Sequence, residues 1–224
     1  MFHLMCPTVR PAVMKEAVAQ WLATAVRPDR VRLQFAVNTP EDREKLSEFE
    51  DVLVIGNKRR GAPYPVFRLG QAVVGEPGDI VVLVSDDTFA PQGWDAWLTE
   101  VFAGHDDAVI INDGGQFGPC ITQPIMTYGC LLKLNRVINH PSYHHFCADA
   151  ELHTNLCELG LARDLRRNGS PIFEHRNWAW GKRAKDEHDE HNVSMWGVDE
   201  KNMHARLRLP VADRLKFDPK DLIE

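Results

Sequence analysis

The sequence predicts an α/β protein with a Rossmann-like, mostly parallel sheet flanked by helices. Three observations point there. Strand and helix signals alternate through the first half, the order that places crossover helices between parallel strands. Ile80–Val84 is an unbroken apolar run of the length and β-branched character of a strand buried on both faces. Ser85-Asp86-Asp87 follows at once, so two carboxylates stand where parallel strands deliver their carboxyl ends to ligands.

The elements follow in chain order. Phe2–Met5 reads as a short strand. Beyond Pro7-Thr8-Val9-Arg10-Pro11, the spacing of Val13, Ala17, Val18, Trp21, Leu22 and Ala25 predicts one apolar helix face, with Pro11 suited to the first turn. Val31, Leu33, Phe35 and Val37 alternate with period two, as a strand does. Thr39 is placed to cap a helix whose first turn carries Glu41 and Asp42. Val52–Ile55 predicts a third strand. A helix over Val66–Val74 is expected to stop at Gly75, and Pro77-Gly78 turns the chain into Ile80–Val84.

Trp94–Phe102 is read as a helix and Ala108–Ile111 as a buried strand. After Asn112 the pattern loosens: Asp113 to Pro124 reads as loop, Met126–Leu132 as a strand, and Asp149–Leu159 as a helix bearing Leu152, Leu156 and Leu159. Pro171–His175 is the last expected strand. From Trp178 to His191 tryptophans, charges and histidines mix without periodicity, which predicts a mobile, partly ordered tail.

Composition narrows the function classes. The chain has 224 residues, 44% of them hydrophobic, enough for one substantial core or for one domain with a small appendage. Its apolar runs fall short of the roughly 20 residues a membrane helix needs, so no integral membrane association is expected. Met1–Cys6 lacks the basic start of a signal peptide, and five scattered cysteines suit reduced thiols, so a cytoplasmic protein is expected. A net charge of −6 argues against a surface built to embrace a polyanion. Basic clusters at Lys58-Arg59-Arg60, Arg163 to Arg167 and Lys182-Arg183 with Lys185 read as solvated faces, Lys58–Arg60 standing out because glycines bound its loop.

Four clusters carry candidate chemistry. Asp86 and Asp87 repel one another unless a cation offsets them, which suits a hard divalent ion bridging to phosphate oxygens; alone, the pair reads equally as a turn with a solvated carboxylate. Asp149 and Glu151 stand near a helix start, where a carboxylate serves either the helix dipole or an acceptor hydroxyl as general base. His175 closes the last strand. The group His140, His144, His145, Cys147, His153 and Cys157 invites zinc, but no C-x-x-C or H-x-x-x-H pair has a matching distal pair. Neither G-x-G-x-x-G nor G-x-x-x-x-G-K-[ST] occurs, so metal and side chains would have to hold any phosphates.

In order, these pieces resemble the family 2-like glycosyltransferases of the GT-A fold. The resemblance runs from Phe2 to about His175 and rests on Cys6–Pro11, Gly78–Asp87, Pro91–Asp95, Ala148–Leu152, Leu159-Gly160 and the late strand. It implies a nucleotide-diphosphate-sugar donor and a Mn²⁺ or Mg²⁺ ion at the acid pair, with Asp87 and His175 as metal ligands. It also implies Thr8, Arg10, Asn38 and Asp86 beside the nucleotide, and Asp149 as catalytic base; Lys58 and Arg59 join the expected donor-binding residues from their Gly-bounded loop. Asn38 stands where an acid is common, Ala148 where glutamate often precedes the base, and Ser85-Asp86-Asp87 varies the acid motif, so which aspartate meets metal is open. The expected division is a glycosyltransferase domain over residues 1–177 and an extension over 178–224 that packs on or near the active site.

The acceptor stays open between a glycan, a small molecule and a modified DNA base. Two rival readings are a nucleotidyltransferase, whose usual Gly-rich loop is missing from Pro7–Pro11, and a nucleotide- or metal-binding module using Trp178, Trp180 and Trp196.

Overall fold

A computed structural model describes residues 1–56, 61–114, 120–166, 169–176, 178 and 181–217. Lys58, Arg59, Arg60, Arg167 and Trp180, singled out in the sequence, lie outside the described residues. The fold is the expected α/β arrangement. Seven strands form one sheet: β1 (Phe2–Pro7), β2 (Val31–Val37), β3 (Val52–Val54), β4 (Ile80–Leu83), β6 (Ala108–Ile110), β7 (Ile125–Thr127) and β8 (Ala162–Asp164), with β5 (Thr88–Phe89) and β9 (Glu174–His175) paired separately. The sheet order is β3-β2-β1-β4-β7-β6-β8, and β7 alone of these runs antiparallel to its neighbours.

Period-two alternation splits the core across the two faces. Leu4, Cys6, Ile80, Val82 and Phe35 face one side, against Met14, Val18 and Trp21 of α1 (Pro11–Thr24) and Trp94 and Leu98 of α4 (Trp94–Val101). Met5, Ala36, Val81 and Met126 face the other, against α3 (Pro63–Ala72), α5 (Tyr128–Lys133) and α6 (Ala148–Glu158). α2 (Pro40–Glu44) begins at Thr39, whose hydroxyl accepts the Asp42 amide at 3.1 Å. On α1 Met14 takes the buried place expected of Val13, which is 43% exposed.

Several expectations are corrected. Met126–Leu132 is not one strand: Thr127 ends β7, and its hydroxyl accepts the Cys130 amide at 3.0 Å, starting α5 at once. α3 begins earlier than expected because Pro63 and Pro65 fall in its first turn, where a preset φ helps. It ends at Ala72, with Val73 already extended, rather than at Gly75. Pro171–His175 divides into an isolated bridge at Ile172 and the short β9. The stretch Trp178 to His191, read as mobile, runs into α7 (Glu187–Ser194), and α8 (Trp196–Arg206) and α9 (Val211–Arg214) follow it. Its helix start lay hidden in charge: Asp186 and Asp189 form a reciprocal capping box at the start of α7. Among the described residues no helix is long and apolar enough to cross a membrane.

Asp95 ties α4 to the end of α1. Its carboxylate is 2% exposed and accepts the Val26 and Arg27 amides at 2.8 and 2.7 Å. Removing the acceptor strands two amides, so Asp95→Ala should cost about 3 kcal/mol. Urea denaturation measures it, and an unchanged midpoint would show that water replaces the carboxylate.

Candidate functional site

The carboxyl ends of β1 and β4 meet at one edge. β1 gives way to Pro7-Thr8-Val9, and the Thr8 hydroxyl accepts the Arg10 amide at 2.8 Å, which turns the chain into α1. Arg10 occupies the N-cap position of α1 without capping it. Its guanidinium instead reaches across to β4, donating Nε to Asp86 Oδ2 at 2.7 Å and Nη2 to Asp86 Oδ1 at 2.6 Å. This two-pronged geometry is the strong form of an arginine–carboxylate pair. Asn38 closes β2 at the same edge, buried, its carbonyl accepting the Gly56 amide at 3.1 Å.

Asp87 has different partners. The Ser85 hydroxyl donates to Asp87 Oδ1 at 2.7 Å, and His175 Nε2 lies 3.4 Å from the same oxygen. Register explains the meeting, because β5 pairs Thr88 directly with His175. Trp21 holds β5 in place through its indole N–H, which donates to the Thr88 carbonyl at 2.9 Å. Burial acts to raise the Asp87 carboxyl, but His175, Ser85 and the Arg183 charge outweigh it and hold it at about 2. Its neighbour moves the opposite way: burial raises Asp86 against the pull of Arg10, and the Asp87 charge adds to the rise.

The tail closes over this edge. Arg10 Nη1 donates to Asp186 Oδ2 at 2.8 Å, and Arg183 forks onto Asp189 at 2.6 and 2.8 Å. Arg183 Nε stands 3.9 Å from Asp87 Oδ2. Two guanidiniums and an imidazole therefore offset the acid pair here, where a divalent ion was expected to do so alone.

Asp149 starts a separate part of the site. Cys147, the residue before α6, adopts left-handed φ of 65°, an uncommon conformation for a residue with a side chain. Asp149 follows in the first turn of α6, its Oδ1 accepting the Ala150 amide at 2.9 Å. Burial raises its carboxyl above the ordinary range, against the Ala150 amide, the Cys120 thiol and nearby His145. The charges of Asp149, Asp199, Asp189 and Asp87 all act on the His145 ring. Burial nonetheless lowers the His145 ring below the usual histidine range.

Asp199 on α8, fully buried, fixes this approach to α6. It accepts the backbone amides of His144, His145 and Phe146 at 2.9, 2.8 and 2.8 Å. Gly61 presses on the same loop: a Cβ there would lie 1.9 Å from the His144 carbonyl oxygen. Arg206 adds a fork onto Glu151 at 2.8 and 2.9 Å, so α8 grips α6 directly.

Of the residues selected in the sequence, Thr8, Arg10, Asp86, Asp87 and His175 are brought together and Asn38 stands along the same edge. Asp149 lies apart from these contacts, in the first turn of α6 with its carboxylate on the Ala150 amide. Arg183, Asp186, His145 and Asp199 were missed as site residues. Arg183 was visible in the Lys182-Arg183 cluster and His145 in the histidine–cysteine group, whereas Asp186 and Asp199 gain their roles through tertiary contacts.

Among the described residues no three His, Cys, Asp or Glu side chains converge as a metal cluster. Asp87 and His175 still offer one carboxylate oxygen and one imidazole side by side. That pair fits a Mn²⁺ or Mg²⁺ ion completing its shell with water and substrate phosphate, as such ions commonly do. Asp86, with both oxygens on Arg10, is already committed. A hollow of about 200 Å³ lined by His3, Arg32, Gln34 and Asp51 lies by the amino ends of β1 and β2, away from this chemistry.

No family model matches the sequence, and no curated protein matches it. Solved structures share the fold. A 1–349 segment of S. aureus TarS in complex with UDP has a TM-score of 0.60 at 11% identity, over 95% of this chain and 76% of that one. The mannosyltransferase PcManGT from Pyrobaculum calidifontis, in complex with GDP-Man and Mn²⁺, gives 0.57 at 14%, over 96% and 71%. Glucosyl-3-phosphoglycerate synthase from Mycobacterium tuberculosis, in complex with Mn²⁺, UDP and phosphoglyceric acid, gives 0.56 at 13%, over 97% and 79%. Against the longer S. aureus TarS structure, the match covers only 37% of that chain. At these identities the likeness establishes a fold common to nucleotide-sugar glycosyltransferases.

Asp199→Ala should strand three amides and loosen the loop before α6 by about 3 kcal/mol, on the order of a hundredfold in amide exchange. Hydrogen exchange checks this: residues 144–146 should accelerate while Ile125–Thr127 holds. Unchanged protection at 144–146 would remove Asp199 from that role.

Proposed function

We propose that the chain is a glycosyltransferase moving a sugar from a nucleotide-diphosphate donor to an acceptor hydroxyl with inversion at the anomeric carbon. The observation that carries this is the pairing of Asp87 with His175, 3.4 Å apart, beside the Arg10 fork on Asp86 at the carboxyl end of β4. The fold shared with enzymes solved with UDP or GDP-Man supports it.

The donor's diphosphate lies against Thr8, Arg10 and the acid pair, and Asn38 lies beside the base. Asp87 and His175 hold a Mn²⁺ or Mg²⁺ ion. Bound there, the ion supplies positive charge that stabilises the departing diphosphate. Asp149 takes the acceptor hydroxyl's proton as the acceptor oxygen bonds to the anomeric carbon. The bond from that carbon to the phosphate oxygen breaks, and the nucleoside diphosphate leaves with the electron pair. A raised carboxyl suits this step, because a base whose pKa is nearer the working pH accepts the proton more readily. His145, its ring pKa lowered by burial, stays neutral over a wider pH range than an ordinary histidine. The acceptor is a glycan, a small molecule or a modified DNA base. Residues 178–224 act as an extension that shapes the acceptor side.

Asp149→Asn should lower transfer at least a thousandfold while nucleoside-diphosphate affinity changes less than threefold, on the scale of a lost general base. The base works deprotonated, so in the parent protein turnover should fall as pH drops through the folded Asp149 pKa, above the ordinary carboxylate range. Turnover of a panel of nucleotide sugars reads both, and full activity in Asp149→Asn would remove the base. For the cation, Asp87→Ala should abolish any gain in UDP or GDP affinity on adding Mn²⁺. Equal gains in variant and parent would move the ion elsewhere.

A further inference from the structure

At the β1–β4 edge two guanidiniums share one carboxylate. Asp186 Oδ2 lies 2.8 Å from Arg10 Nη1 and 3.9 Å from Arg183 Nη1. The bases are held rigidly from behind, Arg10 by its fork on Asp86 and Arg183 by its fork on Asp189. Neither fork uses the whole guanidinium. Arg10 turns its remaining Nη1 outward to Asp186. Arg183 keeps a buried Nε with no hydrogen-bond partner among the described residues. A buried charged donor left without an acceptor is costly, so its presence calls for one.

From this we infer that Arg10 and Arg183 form an anion subsite for the donor's diphosphate, and that the Asp186 carboxylate occupies it until the diphosphate displaces it. The inference rests on the glycosyltransferase reading for the identity of its ligand, but the subsite itself rests on the arginine pair. Three features favour displacement. Asp186 is the more accessible partner, its side chain 35% exposed against 10% for Asp86 and 8% for Asp189. A diphosphate brings more charge and more acceptor oxygens than one carboxylate, and arginine's planar fork suits phosphate oxygens. Asp186 also precedes a helix and has another partner to retain, because its Oδ1 accepts the Asp189 amide at 3.0 Å. The Asp186 carboxylate therefore turns off Arg10 as the anion arrives, keeping its hold on the Asp189 amide, and Arg183 Nε gains a phosphate oxygen.

Asp186→Asn isolates the effect. Asparagine caps a helix about as well as aspartate, so the start of α7 survives while the competing charge goes. Calorimetry with inorganic pyrophosphate, UDP and GDP in EDTA supplies the readout, and Glu187→Gln, one residue on, controls for charge alone. Asp186→Asn should bind all three at least tenfold more tightly than the parent, Arg183→Gln at least tenfold more weakly, and Glu187→Gln within twofold of the parent. No gain in Asp186→Asn, or an equal gain in Glu187→Gln, would overturn the subsite. In the unaltered protein, arginine Nε–H resonances give an answer that needs no variant to fold: the Arg183 signal should move on adding pyrophosphate, and a stationary signal at saturation would also overturn it. Tighter pyrophosphate binding by Asp186→Asn supports the subsite even where no sugar is transferred, so failure of the enzymatic reading is distinguishable.

Discussion

Two carboxylates adjacent in sequence are driven into a partly buried edge by the strand that precedes them. Ile80–Leu83 lies at the centre of the sheet between β1 and β7, and its burial leaves the chain no freedom to carry Asp86 and Asp87 back to bulk water. Each charge then needs its own compensation, since desolvated carboxylates are costly without hydrogen-bonded partners. Arg10 compensates Asp86 from β1, and His175 with Arg183 compensates Asp87 from β9 and the tail. The rest of the site is arranged by these pairings. They explain why the first turn of α1 lacks a side-chain cap, why β5 and β9 pair, and why the segment before α7 lies across the edge.

The tail and the base are coupled by the same kind of interaction. Asp199 gathers three consecutive amides, Arg206 forks onto Glu151, and the Tyr143 hydroxyl donates to that same Glu151 at 2.6 Å. The loop that delivers Asp149 is thereby positioned by α8 rather than by the sheet. A change in the tail thus reaches both parts of the site: through Asp186 and Arg183 at the acid pair, and through Asp199 at the base. Asp189 and Asp199, two of the tail's dispersed charges, are buried clamps in the fold, held by Arg183 and by the amides of residues 144–146.

That contrast explains what sequence could and could not reveal. Ile80–Val84 was legible because a run without polar interruption has few other fates, and β2 because Val31 to Val37 keep a strict alternation. Thr39 and Pro11 announce helix starts through local chemistry. Thr127 misled because the apolar stretch continues past it, and its hydroxyl acts as a cap only once Cys130 turns back. Pro63 and Pro65 extend a helix expected only from Val66, because in a first helical turn their preset φ helps. The tail was opaque because α7 and α8 bury an aspartate each rather than an apolar stripe, and the capping box pairs two acids instead of the more familiar hydroxyl and glutamate. At the site, residues at strand and helix ends were visible. Asp186 and Asp199 depend on partners 53 to 176 residues distant, and no spacing rule reaches that far.

On the proposed function, the carboxyl edge of β1 and β4 receives a nucleoside diphosphate. Anomalous diffraction from crystals soaked with Mn²⁺ and UDP or GDP tests it most directly. A manganese peak touching Asp87 and His175 is expected, with the diphosphate against Arg10 and the Asp186 carboxylate swung away. Nucleotide bound elsewhere, with Arg10 still bridging Asp86 and Asp186 at full occupancy, would contradict it.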